Sequence, residues 1–431
     1  MIERHGIRRA LVALVVCYSA FHLGYSMYRY NIFEGTASLD FRRVFDEAHL
    51  WKTTHTLDFN HVLYPPLYYA LLAPFTALEF KTAALLFYFS QFLWYGAAVV
   101  LMVKTAWKDP KPPMAAYALA AVLTVNFQRF LETLALHKVE GIEFFLICAA
   151  IYAFKRQRDL RAGVVTLFAA SLKYLPGILL LYFLVKRQYR VLLGALAALV
   201  LSLVVMLPLF GADVIRSYLA YPIAMLFEHR HEGTLPQASV EFQTLTGTVN
   251  RWFAGFEGLR HHLKALSYAP VPNPQLAFAI AGLFKLLLVG GYLALIRRRL
   301  LLREREAQWL RVLCELSLTL LLMFVIAPAS RVHYAILVLP AFVTVGLLLY
   351  QDPALFPLRE KALFALAYGL TAMAIPGGAL NRLPPHPVWG AQHALAYLWL
   401  SFPFYGNLLL GVCLILCRGR FQRAHEPIRH P

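Results

Sequence analysis

The sequence predicts an all-α, polytopic membrane protein with about ten full transmembrane helices. Hydrophobic residues make up 60% of the 431 residues and charged residues only 15%, against roughly 25% charged in ordinary soluble domains. Apolar runs long enough to cross a bilayer recur along the chain. The net charge is +18. Lys and Arg concentrate in short segments between the apolar runs. If each run crosses the membrane, these segments all lie on one side, as cytoplasmic loops do. The basic charge therefore indicates topology rather than a nucleic-acid partner.

Ten spans follow from the apolar runs, and we expect them to form a single domain over residues 1–431. Arg8 and Arg9 precede the first run, and no convincing cleavage site follows it, so we interpret it as a retained anchor. Both termini then lie in the cytoplasm, whereas the long segments 29–80 and 211–274 lie outside. The predicted spans are Ala10–Tyr28, Lys81–Lys104, Met114–Gln128, Val139–Phe154, Val191–Phe210, Gln275–Ile296, Val312–Ile326, Tyr334–Leu349, Ala362–Ile375 and Ala394–Leu416.

The segment Ala162–Val185 is predicted to be a short re-entrant hairpin rather than a span. It lies between two basic clusters, Lys155–Arg158 and Lys186–Arg190, so a single crossing would place one cluster on the wrong side. Its centre carries Lys173 and Pro176, and proline breaks a helix. Two short helices that enter and leave on the inner side satisfy both observations. Broken backbone at membrane depth is tolerated only beside protein or a wet cavity, so the hairpin predicts a cavity.

The cysteines and the common nucleotide motifs offer no site. All five cysteines fall inside apolar spans or directly after one, without the spacing of a disulfide framework or a zinc motif. The sequence contains no P-loop, dinucleotide fingerprint or serine-nucleophile elbow. No Asp-x-Asp pair lies near the outer loops, so we predict no metal and no cofactor.

Polar residues concentrate in four patches that the predicted topology places on one face of the membrane. For the first of them, Asp40–Tyr69, the simplest explanation is a surface loop anchored at the membrane by aromatic side chains. The convergence of all four beside a broken hairpin that bears Lys173 instead indicates a site. The patches are Asp40–Tyr69, His137–Gly141, Phe242–Arg251 and Pro328–Tyr334.

Two motifs, one in the patch Asp40–Tyr69 and one around Lys173, resemble those of glycosyltransferase family 87, whose members are integral-membrane enzymes of the GT-C superfamily. Asp40-Phe41, followed by Tyr64-Pro65-Pro66 and Ala73-Pro74, is similar to the family's Asp-Phe … Tyr-Pro-Pro … Ala-Pro opening. The run from Lys173 to Pro176, with the basic Lys186–Arg190 after it, resembles the family's Lys-x-x-Pro hairpin and basic exit.

Two further motifs follow in the family's order. Gln243-Thr244-Leu245, with Gly247 and Arg251, is similar to its Asn-Gln-Ser-Leu … Gly … Arg loop. Pro328 to Pro340, with Ser330 and His333, is similar to its Pro-x-Ser-x-x-His segment, although Tyr334 stands where a second His is common.

The resemblance implies a GT-C-type helical bundle and an inverting glycosyltransferase. The family includes the polyprenol-phosphate-mannose-dependent mannosyltransferase of phosphatidylinositol mannoside synthesis. By resemblance, we expect a polyprenyl-phosphate sugar donor, transfer of mannose to a hydroxyl of a glycolipid or cell-envelope glycan, and contacts with membrane lipids. We also expect a bacterial plasma membrane with the active site on its outer face. The residues themselves leave the sugar and the acceptor open.

Asp40 is the candidate general base. A hydroxyl is a poor nucleophile at neutral pH, so a carboxylate within hydrogen-bond reach must take its proton. Asp40 lies in the outer segment that follows the first span, and the resemblance indicates the same residue. The alternative is that Asp40 caps the helix that begins there. Asp46, Glu47 and Asp58 are the local competitors.

Cationic and donor side chains are the candidates that bind the donor's phosphate and sugar, because charge develops on the leaving phosphate. His333 is the best of these candidates, and Lys173 is a candidate because ionisable groups within a membrane are functional by default. The alternative role of His333 is that of a hydrogen-bonded histidine at the membrane interface, without a part in binding. The donor-binding candidates are Lys173, His333, Arg331, Arg251 and Gln243, and the candidate lipid or acceptor contacts are Arg42, Arg43, Tyr64 and Tyr68.

Two other classes compete with the enzyme. A polyprenyl-phosphate carrier or flippase would use the same cations to hold a lipid phosphate, and Asp40 would then be structural. It has no evident need for a carboxylate base, which favours the transferase. A membrane scaffold leaves the charge of Lys173 within the hairpin unexplained.

Overall fold

A computed structural model of the chain describes residues 13, 14, 16–21, 23, 24, 39–54, 64–218, 243–253, 273–297, 300, 305, 308–327, 332–372 and 400–423. All regular secondary structure in these ranges is helical, which confirms the predicted all-α polytopic class. Short 3₁₀ segments occupy Ala73–Ala77, Leu175–Gly177 and Val332–Val338. The α-helices with defined bounds are α1 (Leu39–Thr54), α2 (Pro66–Leu72), α3 (Phe80–Ala106), α4 (Met114–Val125), α5 (Gln128–Ala135), α6 (Glu140–Lys155), α7 (Asp159–Leu172), α8 (Ile178–Val185), α9 (Tyr189–Phe210), α10 (Leu245–Phe253), α11 (Pro274–Ile296), α12 (Trp309–Ile326), α13 (Leu339–Gln351), α14 (Leu358–Ala372) and α15 (Phe402–Arg423).

Six helical stretches within the described ranges are long and apolar enough to cross a membrane. They are α3, α9, α11, α12, α15 and His333–Gln351, which joins a 3₁₀ segment to α13. Helices α4 and α5 pass the same test together, bent by 66°. The predicted spans Val139–Phe154 and Ala362–Ile375 appear as α6 and α14, of 16 and 15 residues. Much of Ala10–Tyr28 lies outside the described residues, so the count of ten spans stays a prediction.

Helix α1 lies within the segment 29–80, which the sequence analysis places outside the membrane. Its buried side chains lie on one face of the helix, since they recur every three or four residues. They are Phe41, Val44, Phe45, Ala48 and Trp51. The Phe41 ring stacks on Phe87 of α3 at 4.9 Å between centroids. This apolar face holds α1 against the end of the bundle where α3 begins.

The helix predicted to break inside Ala162–Val185 does break. Helix α7 ends at Leu172, Lys173 has an extended backbone (φ −160°, ψ 139°), and a 3₁₀ turn leads into α8. The two ends of the segment lie together, since a Cβ at Gly163 would lie 1.9 Å from the carbonyl oxygen of Val191. The path of this segment relative to a membrane stays a prediction.

Helices α7 and α9 approach each other at two glycines. A Cβ at Gly163 would lie 1.9 Å from the carbonyl oxygen of Val191, and one at Gly194 would lie 2.2 Å from that of Leu160. Close backbone contact through small residues is typical of helix pairs in membranes. The same ends of α7 and α9 meet, so the two helices run in parallel with α8 returning between them in sequence.

Candidate active site

Four buried polar side chains from three separated parts of the chain form one group, which we call the Glu140 cluster: Lys138, Glu140, Lys173 and His333. Lys173 Nζ donates to Glu140 Oε1 at 2.7 Å, and His333 Nε2 lies 3.5 Å from the same oxygen. Lys138 Nζ lies 3.0 Å from His333 Nε2. None of the four residues is more than 7% exposed. The structure therefore brings together Lys173 and His333, which the sequence placed in different motifs.

Local backbone geometry presents each of these side chains. Glu140 is the first residue of α6, where a carboxylate is favoured by the helix dipole. Lys173 lies at the break after α7, and His333 lies in the 3₁₀ segment before α13. Lys138 follows His137, whose φ of 50° reverses the chain between α5 and α6. Helix ends and breaks, rather than helix faces, thus build the cluster.

The hydrogen-bond chemistry of the cluster assigns the role of His333. A lysine ammonium can only donate, so His333 Nε2 accepts from Lys138 in this arrangement. Lys173 likewise donates to Glu140. Each ammonium has three N–H groups, and Lys173 uses one of them on Glu140. The cluster therefore holds two cations and one carboxylate within hydrogen-bond range of each other.

Aromatic rings enclose the Lys173 ammonium. It lies 3.8 Å from the centroid of the Tyr334 ring and 5.3 Å from that of Tyr64, within the range of cation–π attraction. Tyr64 in turn lies 5.0 Å from the ring of Tyr68. The Tyr-Pro-Pro motif thus reaches the Lys-x-x-Pro motif, as two parts of one site must.

Asp40 is the second residue of α1, and its side chain lies outside what the structure describes. Its neighbour Phe41 is described, and that ring lies 5.8 Å from the ring of His137. His137 directly precedes Lys138 of the Glu140 cluster. Phe41, the neighbour of Asp40, thus packs against the neighbour of Lys138, and the Asp40 carboxylate itself is not placed.

The competing carboxylates of the first patch have other surroundings. Asp46 is exposed. Glu47 is bonded by Arg43 at 3.0 Å, its i−4 neighbour, and by the Tyr69 hydroxyl at 2.8 Å. Burial and the Glu47 carboxylate raise the pKa of Tyr69, so its hydroxyl stays protonated and donates. Asp58 lies outside the described residues, as does Arg331.

Arg42 and Arg43, proposed as lipid or acceptor contacts, are exposed on α1. The Arg42 guanidinium lies over the Phe80 ring at 4.5 Å. Arg43 takes part in the ion pair with Glu47. Both side chains lie on the surface of the segment that carries Asp40.

Gln243 and Arg251 belong to a second buried polar group around α10. Gln243 is fully buried and Arg251 is 2% exposed. Arg251 Nη2 donates to Ser401 Oγ at 2.5 Å and to Thr248 Oγ1 at 3.3 Å. These contacts tie α10 to the residue just before α15.

Several residues of the site were not among the sequence candidates: Lys138, Glu140, Glu143 and Tyr334. The charged turn that contains Lys138 and Glu140 was visible as a polar patch, but nothing local assigned it a partner. Glu143, one turn along α6, is fully buried, and neither of its carboxylate oxygens has a hydrogen-bond partner in the described structure. Two acidic residues at i and i+3 in an apolar helix are a signal that could have identified this pair.

Histidine 137 contributes a neutral ring beside the cluster. Burial lowers its pKa to about 4, despite a hydrogen bond from Nδ1 to the carbonyl of Ala135 at 3.0 Å. A carbonyl only accepts, so Nδ1 carries the proton and Nε2 faces away as an acceptor. Nε2 has no partner within the described residues. His137 is thus uncharged at neutral pH.

The cavity predicted around Lys173 is not where the described cavities lie. Two cavities, of about 1320 and 690 Å³, lie at the other end of α6, where Lys155 and Trp309 line the larger one. Within the described part of the chain, no group of three or more His, Cys, Asp or Glu side chains is arranged to hold a metal ion.

Comparison with known proteins gives one match. The model of glycosyltransferase family 87 matches residues 62–328, which is more than half of the chain. The matched region contains Tyr64, Glu140 and Lys173, begins after Asp40 and ends before His333. No curated protein and no solved structure matches the chain.

Proposed function

The chain belongs to glycosyltransferase family 87, and from that premise we propose that it transfers a sugar, mannose, from a polyprenyl-phosphate donor to a hydroxyl of a lipid-linked or cell-envelope glycan. The Glu140 cluster carries the proposal, because two lysines and a histidine converge around one buried carboxylate. The proposed site faces the non-cytoplasmic side of a plasma membrane, and both termini lie in the cytoplasm. This orientation follows from the distribution of Lys and Arg.

The proposed reaction is a single displacement. The acceptor oxygen bonds to the anomeric carbon as the bond from that carbon to the phosphate oxygen breaks, and the configuration inverts. The electron pair leaves with the polyprenyl phosphate. The acceptor's proton passes to the carboxylate of Asp40, which acts as general base.

Lys173 and Lys138 are the proposed donors to the leaving phosphate. Both are buried cations, and charge-assisted hydrogen bonds to a phosphate are strong in such surroundings. Glu140 fixes the Lys173 ammonium and lies 3.5 Å from His333, so it acts as a positioning residue. A monophosphate needs no metal when cationic side chains surround it, so we propose none.

The remaining candidates take peripheral roles in the proposal. Tyr64 and Tyr68 provide aromatic faces beside Lys173 for the sugar or the prenyl chain. Arg42 and Arg43 are exposed on α1, where they can contact lipid headgroups or the acceptor. Arg331, Arg251 and Gln243 complete the donor-binding set.

The test is transfer by the purified protein in lipid nanodiscs. We expect radiolabelled mannose to pass from a synthetic polyprenyl-phosphate donor to an extracted glycolipid acceptor. Nucleotide-linked mannose is the matched control and should not be used. Turnover with the nucleotide sugar and none with any polyprenyl-phosphate sugar would overturn the proposed donor.

The second candidate function is that of a carrier of polyprenyl phosphate. The position of Lys173 between aromatic rings favours it, because such a site can bind a lipid phosphate without catalysing a reaction. Liposomes separate the two. A carrier moves a fluorescent polyprenyl phosphate between leaflets, whereas the proposed transferase leaves it in place and consumes the sugar-linked form.

A further inference from the structure

The larger cavity of the described structure, about 1320 Å³, lies at the opposite end of α6 from the Glu140 cluster. We call it the basic pocket. The end of α3, the turn between α6 and α7, the start of α12 and the turn after α13 enclose it. Its charged lining residues are Lys108, Lys155, Arg156, Arg158, Arg311 and Asp352.

Cations outnumber carboxylates in this lining. Asp352 is paired with Lys108 at 2.5 Å. Lys155 donates to three backbone carbonyls at the end of α3, at 2.8 to 3.0 Å, and keeps its charge without a carboxylate. Burial and the neighbouring Arg156 lower the pKa of Lys155 to about 8, as expected where counter-anions are scarce. Arg156 and Arg158 are exposed, and no described carboxylate pairs with them.

Arg311 is the informative member, because it is buried. It is only 6% exposed, and its Nε has no hydrogen-bond partner within the described residues. The nearest carboxylate, Glu315, lies 3.9 Å away and is held more closely by Lys186 at 2.6 Å and by Arg418 at 2.9 Å. A buried guanidinium N–H without an acceptor is costly, so a bound anion would relieve it.

The basic residues here also satisfy the charge rule for cytoplasmic segments. That rule requires only that positive charge be in the segment. It gives no reason for several cations to line one cavity, or for one of them to be buried with an unpaired N–H group. The convergence of these cations on one cavity therefore indicates a bound anion.

We infer that the basic pocket binds a phosphate ester. Arg and Lys side chains bind phosphate through charge-assisted hydrogen bonds, and basic pockets between helices on the cytoplasmic side suit anionic headgroups. Trp107 and Trp309 provide apolar walls, and Trp309 is fixed by its bond to the carbonyl of Thr105 at 2.7 Å. The ester comes either from an anionic phospholipid or from a soluble phosphate compound. The site is separate from the proposed transferase site.

The test compares two double variants of the full chain. R156Q/R158Q removes two exposed pocket charges, and R161Q/R190Q removes two exposed charges of the same end that do not line the pocket. Binding of short-chain phosphatidylglycerol, of glycerol phosphate and of short-chain phosphatidylcholine is measured by thermal shift and calorimetry on detergent-purified protein. R156K/R158K tests rescue by charge.

We expect the pocket variant to bind phosphatidylglycerol about tenfold more weakly than wild type, from the loss of two charge-assisted bonds. The control variant and R156K/R158K should bind within about threefold of wild type. Binding of phosphatidylglycerol alone identifies a lipid headgroup, and equal binding of glycerol phosphate identifies a soluble ester. Equal affinity in pocket and control variants, or no anion binding by wild type, would overturn the inference. Neither readout depends on sugar transfer.

Discussion

At the scale of single residues, the site depends on carboxylates whose surroundings differ. Glu140 is buried and bonded by Lys173, and Glu47 is bonded by Arg43 and Tyr69. Asp46 is exposed. Asp40 is the second residue of α1. A base must be within reach of the acceptor and ready to take a proton, and Asp40 is the carboxylate proposed for that role.

Replacement of Asp40 by Asn should remove catalysis and leave the fold. Asn keeps the size of the side chain and caps a helix about as well as Asp. Positioned base catalysis is worth roughly 10²–10⁴-fold, so turnover should fall by about that factor, whereas donor binding changes little. Asp46→Asn is the matched control and should transfer sugar near the wild-type rate. Turnover of Asp40→Asn within about threefold of wild type would exclude Asp40 as base.

Replacement of Glu140 by Gln should separate turnover from donor affinity. The amide oxygen still accepts from Lys173, but the negative charge that anchors the cations is lost. We expect kcat to fall about tenfold or more while KM for the donor stays level or falls, because the phosphate then meets more net positive charge. Glu79→Gln, which changes an exposed carboxylate outside the cluster, is the control. A raised donor KM with unchanged kcat would contradict the positioning role.

The buried ring of His137 predicts a pH dependence of stability. Its folded pKa of about 4 lies below the ordinary 6.5, so the unfolded chain binds more protons between these values. Its contribution to stability is complete above pH 6.5 and is lost as the pH falls towards 4. Between pH 7 and 5 this amounts to about 2 kcal/mol.

His137→Asn tests this dependence, because Asn tolerates the left-handed backbone at φ 50°. Melting temperatures of both proteins are measured between pH 7.5 and 5. Wild type should lose more stability on acidification than the variant. Parallel curves would show that His137 titrates normally.

At the scale of elements, the break after α7 positions the site. A continuous helix through Lys173 would satisfy its backbone internally and direct the side chain by helical periodicity alone. The break lets an extended residue place its ammonium against Glu140, at the N-terminus of α6. The parallel pair α7 and α9 then holds the hairpin through close contact at two glycines.

Gly163→Ala should destabilise that pair. The new Cβ would lie 1.9 Å from a backbone carbonyl that has no flexible end to move, and overpacking of this kind costs about 1–3 kcal/mol. Gly282→Ala on α11 is the control, because nothing lies within 4 Å of its Cβ position. The control should be neutral or slightly stabilised. Melting temperatures in matched lipid would check both, and equal values would show that α7 and α9 do not pack so closely.

At the scale of the whole molecule, the two polar regions lie at opposite ends of α6. The Glu140 cluster is at its N-terminus, and the basic pocket is at its C-terminus with Lys155. In the proposed topology, the first faces outward and the second faces the cytoplasm.

Cysteine labelling tests this orientation. In a Cys17→Ser background, which removes the exposed native thiol among the described residues, Thr54→Cys and Arg158→Cys are treated with an impermeant maleimide in intact cells. We expect labelling of Cys at position 54 and protection at position 158. Equal labelling of both would overturn the arrangement.

Some of the site was predictable because the signal was local. Lys173 and Pro176 stand out in an apolar run, and the aromatic run with Tyr64 is visible by eye. Glu140 was seen only as part of a charged turn, since its significance depends on a partner 33 residues away. The contact of Lys138 with His333 spans 195 residues, and no pattern within one segment encodes it.

The sequence by itself determined the class of the protein, because each membrane span needs about twenty apolar residues of its own. Hydropathy, basic segments and a proline in an apolar run are each properties of one stretch of chain. Tertiary structure decided the rest: which carboxylate holds Lys173, that His333 accepts from Lys138, and that the described cavities lie at the basic end. These depend on how helix ends meet, and that is set by packing such as the glycine contact of α7 with α9, which involves atoms far apart in sequence.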